Sequence, residues 1–176
     1  MEKNIVKLSK TAFTNMLTAC LEVYKKESYG VLLGKSFNGH SIIRNSLNYQ
    51  SARRTYNFVD LHSHREKRVI NTISYLPNNN LVGDFHSHPD FPDKLSKFDR
   101  KDLLRQPNKW VSMLFVIKDA KKKMPWRYDG DGKYFAGTVN GKFSLKLHAY
   151  KNVEGKVKKI NIDCPYVEKL NNLHFS

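Results

Sequence analysis

Two cysteines in 176 residues, Cys20 and Cys164, are too few and too far apart for a disulfide framework or for the paired thiolates of a zinc ribbon. Both are expected as reduced thiols. No segment reaches the roughly 18 consecutive apolar residues of a membrane span. The opening MEKNIVKLSKTAF lacks the apolar run of a secretory signal, so a cytoplasmic protein without a membrane role is the expectation. The six prolines and nine glycines cluster nowhere long enough to make a linker, and nothing repeats beyond two short histidine triplets. With 40% hydrophobic residues, positions 1–176 are expected to form a single domain with a sizeable core. Acid is also scarce, with 16 Asp and Glu against 31 Lys and Arg and a net charge of +15. The excess gathers in Lys121-Lys122-Lys123, in Arg53-Arg54, and in Arg65 with Lys67 and Arg68. Such charge either solvates the surface or attracts an acidic partner. No RNA- or DNA-binding motif accompanies it, which makes nucleic acid the weaker partner.

The apolar periodicity predicts an α/β chain, a mixed sheet flanked by helices. Ser9 can cap a helix from Lys10 to Lys26, with Phe13, Met16, Leu17, Cys20, Leu21 and Tyr24 on one face. Tyr29 to Lys35 and Ser41 to Leu47 read as strands around Phe37-Asn38-Gly39. Arg65 to Leu76 reads as a second helix stopped by Pro77, and Trp110 to Ile117 as a buried strand. Tyr134 to Val139 and Lys142 to Tyr150 flank Asn140-Gly141, a strong hairpin signal, and Lys156 to Ile162 follows Gly155.

The chemistry concentrates in Gly83 to Asp99, GDFHSHPDFPDKLSKFD. Leu81 to Phe85 reads as a strand leading into His86. Successive strand side chains alternate faces, so His86 and His88 share one side, with Asp84 beside them. Ser96 opens a segment, SKFDRKDLLRQ, with loosely helical spacing, which sets Asp99 in the first turn with its carboxylate facing back to the histidines. Two imidazoles and a carboxylate are a common ligand set of hydrolytic zinc sites. Blander readings exist for each part. Ser96 and Asp99 also form a Ser-x-x-Asp capping pair, and Asp84, Asp90 and Asp93 compete as the carboxylate. A second triplet, His62-Ser63-His64, has Thr72 and Tyr75 where the first has Ser96 and Asp99, so it reads as surface or substrate-facing.

These residues resemble the JAMM or MPN-plus (JAB domain) zinc metalloproteases, whose signature is His-Ser/Thr-His-Pro, seven residues, Ser, two residues and Asp, with a Glu far upstream. His86-Ser87-His88-Pro89 opens the match, and Ser96 and Asp99 complete it at the same offsets. The upstream element is similar to Glu27-Ser28-Tyr29-Gly30-Val31-Leu32-Leu33-Gly34. Leu95 stands where a Pro is common, and Asp84 where an aromatic is often seen. The resemblance implies zinc held by His86, His88 and Asp99, and hydrolysis of an amide bond at the C-terminal tail of ubiquitin or a ubiquitin-like modifier. Glu27, alone among the glutamates in adjoining a Gly-bounded apolar strand, would take a proton from water and deliver it to the leaving amine. Ser96 would donate to the developing oxyanion. Gln50 to Tyr75 and the loop Met124 to Lys133, with Trp126 and Tyr128, are candidates to hold substrate, or else packed lids. The alternatives are a catalytically silent scaffold of the same fold that binds a partner protein, and a basic nucleic-acid-binding protein with incidental histidines.

Overall fold

The structure is a computed structural model that describes residues 4–37, 39–49, 53–54, 59–60, 62–77 and 80–171. The chain runs β1 (Ile5–Leu8), α1 (Lys10–Glu22), β2 (Tyr29–Ser36), β3 (His40–Asn48), β4 (Arg53–Arg54), β5 (Val59–Asp60), α2 (Ser63–Tyr75), β6 (Asn80–Pro89) and α3 (Lys97–Arg105). It continues through β7 (Val111–Asp119), β8 (Arg127–Asp129), β9 (Tyr134–Val139), β10 (Phe143–Val153), β11 (Lys156–Asp163) and α4 (Tyr166–Leu170). Asn38 of the expected Phe37-Asn38-Gly39 turn, residues 78–79 after Pro77, and residues 50–52, 55–58 and 61 of the substrate candidate Gln50 to Tyr75 lie outside the described residues.

Nine strands form one sheet in the order β11-β1-β3-β2-β6-β7-β10-β9-β8. It is mixed, since β1 lies parallel to both β3 and β11, and β6 parallel to β7, while the other pairings are antiparallel. The expected α/β class therefore holds in broad terms, with more sheet than helix. The helices flank a mixed sheet as expected, and the sheet in addition closes on itself. β10 runs 11 residues against 6 for β9. Its first half, Phe143 to His148, pairs with β9, and its last residues, Ala149 to Val153, are left to pair with β11. The two-residue turn Glu154-Gly155, with φ of 52° and 71°, folds β11 back to make that pairing. Both residues need the left-handed region that a tight hairpin demands. Asn140-Gly141 makes the same kind of turn between β9 and β10, as its sequence predicts.

α1 packs against β3 within the larger core. Phe13 sits among the rings of Phe115, Trp126, Phe135 and Tyr166, with centroids 5.5 to 6.3 Å away. Ser9 caps the helix as predicted, its side chain accepting the Ala12 N–H at 3.1 Å. The helix stops at Glu22 rather than Lys26. The residues after it unwind into a turn with Lys25 at φ 79°, and this redirects the chain toward β2. β7 is buried on both faces. Val111, Met113, Phe115 and Ile117 join the α1 core, while Leu114 and Val116 join Leu95, Leu103 and Tyr150 beneath α3. That period of two gives the molecule two packed layers on either side of one strand. On the α3 side, a third cluster seats α2 through Ile73 on Val31, Leu33 and Tyr49.

Candidate metal centre

β6 is buried through nearly its whole length, and its alternation sorts the GDFHSHP residues by face. Phe85 belongs to the α1 core. Asp84, His86 and His88 point the other way and line a groove of about 850 Å³ beneath α3. α3 begins over the histidines. It is capped by Ser96, whose hydroxyl oxygen accepts the Asp99 N–H at 3.1 Å, while Asp99 Oδ2 accepts the Ser96 N–H at 2.6 Å. The capping box and the ligand role are therefore not alternatives. The same Oδ2 lies 3.6 Å from His86 Nε2 and 3.4 Å from His88 Nε2.

One ligand atom each from His86, His88 and Asp99 lies within 4.8 Å of the others. Such separations suit ligand atoms that share one cation. His86 Nε2 is buried with no hydrogen-bond partner among the described residues. A buried polar atom left orphaned is costly in an apolar setting, which fits a nitrogen reserved for a metal. The electrostatics agree. Burial alone would lower the proton affinity of His86, yet Asp99, Asp84 and Glu27 around it raise its pKa above the ordinary imidazole value. Burial pushes the Asp99 carboxyl up, but His86, His88 and Ser96 together hold it well below the usual carboxylate range. Three carboxylates around two imidazoles call for positive charge at their centre, and the donor set of two nitrogens and one oxygen fits zinc.

The competing carboxylates are engaged elsewhere. Asp84 Oδ1 accepts from the Ser112 hydroxyl at 2.7 Å and Oδ2 from the Trp110 indole N–H. Asp90 accepts from the Tyr24 hydroxyl at 3.2 Å, and Asp93 pairs with Lys146 at 2.9 Å. Glu27 reaches the site from the turn after α1, with Oε1 3.9 Å from His88 Nε2 and its side chain 13% exposed. Burial raises its pKa above the ordinary glutamate value, against the opposing pull of His86 and His88. Phe91, Pro92, Leu95 and Phe98 form an apolar stretch of the groove wall, and Phe98 remains 80% exposed there.

Other sequence expectations fare differently. His62, Ser63 and His64 lie exposed at the start of α2. Trp126 is 7% exposed and packs on Phe13 and Phe135 in the core, while the Tyr128 hydroxyl bonds the Cys164 carbonyl at 3.0 Å. Of the two readings of this aromatic loop, the packed one describes Trp126, which is absent from the groove lining. The groove residues Tyr29, Asp102, Leu103, Arg105, Gln106 and Ser112 carried no motif signal. They meet only because the packing of α3 over β7, β10 and β11 brings its face to the groove beside β6. No helix among the described residues is long and apolar enough to cross a membrane.

No curated protein matches the chain. Among solved structures, the chain is similar to a protein of Desulfitobacterium hafniense known from its solution structure. The TM-score is 0.59 at 14% identity, over 90% of this chain and 92% of that one, a likeness of fold. The sequence model for prokaryotic homologs of the JAB domain matches residues 9–129, which span both Glu27 and the His86 to Asp99 segment. The chain belongs to the family of prokaryotic JAB-domain homologs.

Proposed function

We propose that this protein is a zinc-dependent isopeptidase or peptidase that hydrolyses an amide bond at the C-terminal tail of a ubiquitin-like modifier. The observation that carries this reading is the convergence of His86, His88 and Asp99 within 4.8 Å, with Glu27 Oε1 3.9 Å from His88 in an open groove. His86, His88 and Asp99 would hold the ion, which when bound supplies Lewis acidity that acidifies water and polarises a carbonyl. Glu27 takes a proton from water at its Oε1 and returns it to the leaving amine; its raised proton affinity suits both steps. The Ser96 hydroxyl oxygen is occupied by the Asp99 N–H, which leaves its own proton to donate toward negative charge developing on the substrate oxygen. Removing a donor of that kind slows turnover by about 100-fold or more. The apolar wall of Phe91, Pro92, Leu95 and Phe98 supports an extended, flexible peptide tail better than a compact polar ligand.

The test measures zinc per chain and cleavage of modifier fusions by the wild type, Asp99→Ala and Glu27→Gln. The expected outcome is one zinc in the wild type, loss of metal in Asp99→Ala, and retained metal with turnover reduced by about 100-fold or more in Glu27→Gln. Retained zinc with an uncut fusion in every variant would point instead to a scaffold that binds its partner. A wild-type protein devoid of zinc would remove the enzymatic reading.

A further inference from the structure

We infer that Ser87, the residue between the two histidines, is a positioning residue that holds Glu27 over the metal centre. The inference rests on the metalloprotease reading for its kinetic arm alone. Ser87 is 1% exposed and its neighbours in sequence both face the groove, so on a strand its own side chain points to the opposite face. There its hydroxyl oxygen accepts the Ser28 N–H at 2.8 Å, and its backbone N–H donates to the Ser28 carbonyl at 3.1 Å. Both backbone polar groups of Ser28 are thereby tied to one residue of the histidine strand. The Ser28 N–H belongs to the peptide plane that follows the Glu27 Cα, so this clamp sets the Glu27 backbone angle ψ. Just upstream the chain is an unwound turn with Lys25 at φ 79°, and β2 begins only at Tyr29. Until β2 starts, the Ser87 pair is what registers the acid against His88. Cys20 on α1 is fully buried, and burial keeps its thiol protonated against the opposing pull of the Ser87 and Ser28 hydroxyls. The second histidine triplet has no such arrangement, since Ser63 is exposed at a helix start.

The experiment compares zinc-loaded wild type with Ser87→Ala, Ser87→Thr and Ser87→Val. Thr and Val are matched in shape and differ by the hydroxyl, so this pair keeps the test decisive if Ser87→Ala does not fold. Amide hydrogen exchange at Ser28 is expected to quicken by about 10-fold or more in Ala and Val and to stay near wild type in Thr. Crystal structures of Ala and Val should place the Glu27 carboxylate away from its wild-type position, with zinc retained. On a modifier fusion, kcat should fall by about 10- to 100-fold with KM within about two-fold, Thr should recover most of the rate, and Ser87→Ala should add nothing in a Glu27→Gln background. Unchanged Ser28 exchange, an unmoved Glu27, or an equal further loss in the Glu27→Gln background would overturn the inference. A wild type that binds zinc but cuts no fusion would sink the protease reading; exchange and structure would still decide the role of Ser87.

Discussion

Asp99 performs two tasks with one oxygen. Its Oδ2 closes the capping box at Ser96 and also faces both histidines, so a residue of the first turn of α3 completes the candidate ligand set. The economy is physical: a helix start supplies an N–H that orients the carboxylate and holds it ionised. His148 presents a different case. It is 1% exposed, both ring nitrogens lack partners among the described residues, and it lies between the rings of Tyr134 and Tyr150. Burial lowers its pKa from 6.5 to about 4, aided by Lys159 and Lys146 and opposed by Asp93. Between these values the unfolded chain binds a proton that the folded one refuses. Stability from this group is thus whole above pH 6.5, declines as the pH falls, and is exhausted once the folded imidazole itself titrates near pH 4. Denaturant midpoints followed from pH 7 to pH 4 should fall less steeply in His148→Phe than in the wild type. The difference should be on the order of 2–3 kcal/mol by the low end of the range.

At the scale of elements, the site is the place where the first turn of α3 faces the histidines of β6. Leu103 and Leu95 seat the helix on Leu114, Val116 and Tyr150, and that seating sets how Asp99 addresses the histidines. Leu103→Ala should destabilise the protein by about 2–5 kcal/mol, read by urea unfolding, and should weaken zinc retention against a chelator without removing any ligand. Elements with a clear period were legible: β9 runs Tyr134 to Val139 as expected, and Ser9 caps α1. The helix end was not. Glu22, Val23, Tyr24 and the lysines after them all tolerate helix, and only the need to reach β2 with Glu27 facing inward breaks it before Lys26. β1 and β8, of four and three residues, fall below the length at which alternation speaks, and each owes its strand to the neighbour it pairs with. His86, His88, Ser96 and Asp99 stand out in the sequence because a metal-site reading asks for those types at fixed offsets, and the fold brings His86, His88 and Asp99 together with Glu27 beside them. The meeting of Ser112 and Leu103 with the histidine face of β6 was not legible, since no local rule links residues on β7 and α3 to it.

For the whole molecule, two properties meet: a net charge of +15 and a metal-centre interior crowded with carboxylates. The positive excess lies outside the groove in sequence terms, at Lys121-Lys122-Lys123 and in α2, where it would draw an acidic partner over long distances. If such attraction guides the substrate, kcat/KM on an acidic modifier fusion should fall by about 10-fold between 0.05 and 0.5 M salt while kcat stays nearly constant. A flat salt response would assign the charge to solvation alone. What the amino-acid order determined by itself was local: residue types at fixed spacing, a cap, the Asn140-Gly141 hairpin turn and the faces of β6. Those follow from backbone geometry within a few residues. What only the tertiary structure decided was the closure of the sheet through β10 and β11, the approach of Asp99 rather than three nearby acids to both histidines, and the clamp from Ser87 to Ser28. Each depends on groups far apart in the chain meeting in one packed interior, where hydrogen-bond satisfaction and burial are settled jointly rather than residue by residue.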